Sequence, residues 1–65
     1  MDKAKISERL RALRGDRSIS TVAADIGITP AALSNYEQGI RIPRDEIKAR
    51  IAKYYKKSVD YIFFS

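Results

Sequence analysis

Apolar residues along this chain recur at helical rather than strand spacing. Ile6, Leu10 and Leu13 follow a four-then-three rhythm that lays one stripe along a helix. Ile19, Val22, Ala23 and Ile26 form a second stripe, with Ser18 or Ser20 placed to cap its start. A third helix is predicted to begin with Thr29 as its cap and Pro30 as its first residue. It would carry Leu33 and Tyr36 inward and stop at Gly39. A fourth is predicted from Pro43, with Asp45 and Glu46 in a first turn whose dipole favours anions. Its buried stripe would be Ile47, Ile51, Ala52 and Tyr55. A fifth, capped by Ser58, offers Val59, Tyr61, Ile62 and one of Phe63 and Phe64. Gly15, Gly27 and Gly39 fall where the first three helices should end. No stretch alternates with period two for long enough to be a strand. The pattern describes one all-α domain over residues 1–65, built from five short helices.

The joint between the second and third helices is the most informative. Ile26-Gly27-Ile28-Thr29 leaves about four residues from one helical pattern to the next. A left-handed Gly27 allows an abrupt reversal there at little steric cost, and Ile28 would plug the angle between the helices. Ala23, four residues before Gly27, is small enough for the two helices to cross closely. These features describe a helix-turn-helix unit.

Composition narrows the chemistry. Sixty-five residues bury only about 60% of the surface of the unfolded chain, so stability must come from close packing. The chain has no cysteine and no histidine, which removes the usual thiolate and imidazole metal ligands and the commonest general base. Asp45 and Glu46 are adjacent and point apart on a helix, and Ser34 has no base near it, so catalysis is not expected. No cofactor and no metal are expected either. No apolar run approaches the roughly 18 residues of a membrane span, and the charged start lacks the apolar core of a signal peptide. A reducing cytoplasmic setting is expected.

Charge then points to a partner. The net charge is +5, and its distribution is uneven. Residues 1–17 hold six basic side chains and residues 40–57 hold seven, whereas residues 18–39 contain only Asp25 and Glu37 as charges. Two basic flanks thus enclose a neutral helix-turn-helix. Most single cations are expected to be solvated, Lys48, Lys53, Lys56 and Lys57 among them.

The segment Val22-Ala23-x3-Gly27-Ile28-Thr29-x3-Leu33-Ser34-x2-Glu37-x-Gly39 is similar to the core signature of lambda-repressor-like, Cro-type (Xre) helix-turn-helix regulators. Leu10-x2-Leu13-Arg14 resembles the end of that family's first helix, and Pro43, Ile51-Ala52 and Ser58-Val59-Asp60-Tyr61-Ile62 resemble its fourth and fifth. The resemblance covers roughly residues 6–64. It implies a compact five-helix domain whose third helix docks in the major groove of double-stranded DNA, with dimers reading two half-sites about one helical turn apart. It also implies a repressor of phage or prophage type, an ion pair between Arg14 and Glu37, and a dimer contact through the fifth helix. The sequence departs from the family in two places: Ile19 stands where a glutamine is usual, and the Gly15-Asp16-Arg17 loop is about two residues short.

Within this frame, Pro30, Ala31, Ser34 and Asn35 are the expected base-contacting residues. Asn35 is the strongest, because a carboxamide can pair with both N6 and N7 of adenine, while Ala31 suits a thymine methyl. Arg17, Ser18, Thr29, Gln38, Arg41 and Arg44 are the expected phosphate contacts, with Arg41 foremost. Tyr61, Phe63 and Phe64 are the expected dimer interface, since an exposed Phe63-Phe64 pair is costly in so small a protein. A twin subunit would cover it; so would further chain, were this the first domain of a longer protein. The main alternative is an antitoxin or adaptor that uses the same fold to hold a protein partner. RNA is disfavoured, because its deep, narrow major groove does not admit a helix.

Overall fold

The computed structural model describes all of residues 1–65. Four α-helices run over Lys3–Arg14 (α1), Ile19–Ile26 (α2), Pro30–Glu37 (α3) and Asp45–Tyr55 (α4), followed by a short π-helical segment, Asp60–Phe64 (α5). The molecule is all-helical, as its periodicity predicts, and measures 26 × 21 × 21 Å. None of its helices is long and apolar enough to cross a membrane.

Local chemistry sets the helix starts. Asp2 accepts from the Ala4 and Lys5 amides at the head of α1, Ser18 from Thr21 at the head of α2, and Thr29 from Ala32 at the head of α3. Each replaces a hydrogen bond that a first-turn amide cannot find within its own helix. The cap of α2 is thus Ser18 and not Ser20. The fourth helix starts two residues later than Pro43 suggests. Pro43 is buried, and extended Arg44 carries the chain from it to Asp45 without a side-chain cap. Asp45 and Glu46 consequently occupy the first turn itself.

Three helix ends share one hydrogen-bond pattern. At α2, the Gly27 amide donates to Ala24 and the Ile28 amide to Ala23; at α3, Gly39 donates to Tyr36 and Ile40 to Asn35; at α4, Lys56 donates to Lys53 and Lys57 to Ala52. This is the Schellman closure, with a left-handed residue after each helix. Gly27 and Gly39 take that conformation freely, at φ 88° and 73°. Lys56 takes it at φ 58°, against its side chain's preference.

The helix-turn-helix sits on a single core. Ile6 and Leu10 of α1, Val22, Ala23 and Ile26 of α2, Leu33 of α3, Ile47, Ile51 and Ala52 of α4, and Ile62 and Phe63 of α5 bury together. α3 packs against both α1 and α2, while α5 closes on α1 and α4 on α2. Ala23 is fully buried, as close crossing of α2 and α3 requires, and Ile28 packs against the core from the turn. Leu13, Ile19, Tyr36, Tyr55 and Val59 are partly buried at its edge.

Two expectations fail at the C-terminal end. Phe63 is a core residue, only 1% exposed, and therefore presents no surface to a second copy; Tyr61 and Phe64 do remain exposed. Lys48, expected in solvent, is buried, with only 6% of its surface exposed. Its aliphatic stem covers apolar surface, while its ammonium lies 5.2 Å from the Phe64 ring centroid and 3.3 Å from Asp45 Oδ1.

Candidate nucleic-acid interface

α3 is fixed from behind at both ends. Thr29 closes its N-terminus, and Pro30 supplies a first residue that needs no amide partner. Leu33 anchors its middle with no exposure. At its C-terminus two arginines of α1 converge on Glu37. Arg14 Nε donates to both carboxylate oxygens, at 2.8 and 3.1 Å, and Arg11 Nη1 donates to the Glu37 carbonyl and to Ser7 Oγ. The Glu37 carboxylate is almost wholly buried, whereas the Arg14 side chain is 19% exposed. The hydrogen bond to Glu37 is the main reason the Arg14 guanidinium is held above its usual pKa. The expected ion pair is thus present, and it ties α1 to the end of α3.

The opposite face of α3 is open. Pro30, Ala31 and Gln38 are exposed, and Ser34 and Asn35 are half-exposed. Gln38 Nε2 donates to Ser34 Oγ at 2.6 Å, which occupies one donor of Gln38 and one lone pair of Ser34. The Asn35 backbone carbonyl accepts from both Ile40 and Arg41, while its carboxamide enters none of the chain's hydrogen bonds. Of the side chains suited to base edges, that of Asn35 is the one with no hydrogen bond inside the chain.

The flanking cations divide. Arg41 and Arg44 are exposed in the loop after α3 and enter none of the ion pairs, which are Arg14–Glu37, Lys48–Asp45 and Arg50–Glu46. Arg17 is different. Its guanidinium donates to the Tyr54 hydroxyl and to the carbonyls of Leu13 and Arg14, and lies 5.5 and 5.7 Å from the ring centroids of Tyr54 and Tyr55. It is bound to the end of α4, so the structure does not present it as a free phosphate ligand. The hydroxyls of Ser18 and Thr29 serve as helix caps.

A helix-turn-helix family model matches residues 8–62 of the chain. The protein belongs to the Cro-type (Xre-like) helix-turn-helix family. No curated protein and no solved structure matches it. Family membership makes it a DNA-binding helix-turn-helix regulator, of a regulatory family that is generally non-enzymatic.

Three supports of the helix-turn-helix in this chain have no counterpart among the sequence expectations. Arg11 holds the α3 carbonyl end; Arg50 Nη1 donates to the Gly27 carbonyl within the turn itself; and the Tyr54 hydroxyl donates to Asp25 on α2 at 3.0 Å. Desolvation, then the bond to Asp25, raises the Tyr54 pKa above its ordinary value. Arg11 could have been noticed, because it stands three residues before Arg14, one turn away on the same side of α1. Arg50 and Tyr54 act over 23 and 29 residues, and no local pattern marks them.

Proposed function

We propose that the chain is a sequence-specific transcriptional regulator that reads the major groove of duplex DNA with the open face of α3. It binds an inverted-repeat operator as a homodimer and acts as a phage- or prophage-type repressor that covers a promoter. The observation that carries this reading is the division of α3. One face is locked by Thr29, Leu33 and Glu37, and the other leaves Pro30, Ala31, Ser34 and Asn35 open beside two unpaired arginines. A rigid helix with a free carboxamide and adjacent cations combines base reading with phosphate positioning.

In this reading Asn35 pairs with an adenine, and Ala31 and Pro30 contribute shape and apolar contact. Arg41 and Arg44 hold the phosphate backbone, aided by Thr29, Ser18 and Gln38. Arg17 reaches a phosphate only by leaving Tyr54. The dimer uses Tyr61 and Phe64, which are 48% and 56% exposed. The same exposed pair would serve the alternative, an antitoxin or adaptor that holds another protein.

Selection of bound sites from a random duplex pool at physiological salt tests the proposal. An inverted repeat with half-site centres about 10 base pairs, or a multiple, apart is the expected product. Asn35→Ala should then relax one position of the code. No enrichment by the isolated chain, or enrichment that needs a second protein, would remove the specific-regulator reading.

A further inference from the structure

Ile40 is one of four large apolar residues exposed on the protein, with Met1, Tyr61 and Phe64. Met1 and Phe64 line one depression beside Lys5 and Arg9, and Tyr61 lies on α5 beside Phe64. Ile40 lies apart from them, at the end of α3, and is 59% exposed. The chain contains its own comparison. Ile28 and Ile40 occupy the same position in two Schellman closures, each donating its amide to the carbonyl five residues back, of Ala23 and Asn35 respectively. That position normally packs an apolar side chain back onto its helix. Ile28 does so, against the core; Ile40, whose counterpart in the motif is the polar Asn35, is not among the residues packed on the core and stays 59% exposed. Folding of the chain does not account for an isoleucine there.

The surroundings of Ile40 indicate an occupant. Residues 38–44 contain two arginines and no acid, and both Arg41 and Arg44 are free of ion pairs. Two hydrogen bonds to the Asn35 carbonyl, at 3.0 and 3.3 Å, hold Ile40 and Arg41 at the end of the reading helix. Ser34 and Gln38 are bonded to each other, which ties up part of the hydrogen-bonding capacity of the open face of α3. What remains alongside Asn35 is apolar: Pro30, Ala31 and Ile40. The apolar handle that the major groove offers is the 5-methyl group of a pyrimidine.

We propose that Ile40 reads a pyrimidine 5-methyl group at the edge of the half-site, extending the base-reading surface past the end of α3. The inference rests on α3 being the DNA-reading helix. Thymine supplies the group in unmodified DNA, and 5-methylcytosine supplies the same group in modified DNA.

The test is a cycle of binding measurements on the duplex selected by the wild-type chain. Each thymine is replaced in turn by uracil, which keeps the hydrogen bonds and lacks the methyl, and each cytosine by 5-methylcytosine. Ile40→Ala is measured on every duplex. One uracil replacement near the edge of the half-site should weaken wild-type binding by about threefold to tenfold and leave Ile40→Ala binding unchanged. A gain by the wild type alone at one 5-methylcytosine, without a uracil effect, would support the same contact with modified cytosine as the source. Ile40→Ala binding that is undiminished, or diminished equally on thymine and uracil duplexes, would overturn the proposal. Failure of the wild type to select any duplex would instead remove the DNA-reading role of α3, and the inference with it. Ile40→Ala should melt within a few degrees of the wild type, since the side chain is largely in water.

Discussion

Removing Arg14 should destabilise the protein more than removing Glu37, although both deletions break the same ion pair. The reason is asymmetric burial: the Glu37 side chain is 4% exposed and that of Arg14 is 19% exposed. Glu37→Ala leaves a guanidinium that can turn to water and still donate to the Arg17 carbonyl. The loss is then a charge-assisted hydrogen bond and some packing, about 2–3 kcal/mol. Arg14→Ala leaves a carboxylate with almost no access to solvent, which costs about 3–4 kcal/mol. A chain of this length has only about 3–10 kcal/mol of net stability, so the arginine variant should be close to unfolding near 37 °C. The double variant should be less unstable than the two single losses combined, with a coupling energy of about 1.5–3 kcal/mol. Chemical denaturation of the four proteins, followed by circular dichroism at 222 nm, measures all of these terms. Equal losses from the two single variants would refute the burial argument. Coupling below about 0.5 kcal/mol would refute the claim that this pair holds α3 in place.

Other parts of the structure give predictions of their own. The Tyr55 hydroxyl is buried without a hydrogen-bond partner, so Tyr55→Phe should be neutral or stabilising by up to about 1 kcal/mol at pH 7, read by thermal melting. Burial first, and the Glu37 carboxylate second, push Tyr55 from 10.0 up to about 12. The folded state therefore holds this proton more tightly than the unfolded chain does. That contribution to stability is fully present below pH 10 and is lost as pH rises through about 12. Tyr55→Phe should make the alkaline loss shallower, with the remainder in the same direction from Tyr54; an unchanged alkaline profile would contradict the assignment. Lys56→Gly should raise stability by about 0.5–1 kcal/mol, because Lys56 sits at φ 58° in the left-handed region; a fall in melting temperature would refute that reading. Arg41→Ala should lower the dependence of log affinity on log salt by about 0.9 while leaving the selected sequence unchanged, as a phosphate contact requires.

The sequence reveals most where the deciding interaction spans a few residues. Ser18 and Thr29 cap helices through bonds to amides three positions on, and Gly27 and Gly39 close helices through bonds of three to five positions. Those residue types announce such roles by themselves. Open positions on α3 are legible for a related reason, because Leu33 and Tyr36 mark which side of the helix faces inward. The features that were missed depend on distant partners. Arg17 looks like a loop cation until Tyr54, 37 residues away, is brought beside it. Lys48 looks solvated until α5 brings Phe63 and Phe64 beside its ammonium. The choice between Phe63 and Phe64 turns on which face of α5 meets the core. Ile62 and Phe63 stand three and four residues after Val59 and share its inward face, while Tyr61 and Phe64 stay outside; a run of four apolar residues does not by itself mark that face.

If α3 is the reading helix, DNA binds on its open face and on the loop behind it. Titration of the ¹⁵N-labelled chain with its selected duplex, followed through backbone and Asn35 side-chain amide resonances, locates that surface directly. The largest shifts should fall between Thr29 and Arg44 and on the Asn35 carboxamide, with smaller ones at the start of α2 around Ser18. Shifts concentrated on Tyr61 and Phe64, with α3 silent, would contradict the claim and leave the C-terminal face as the working surface of the protein.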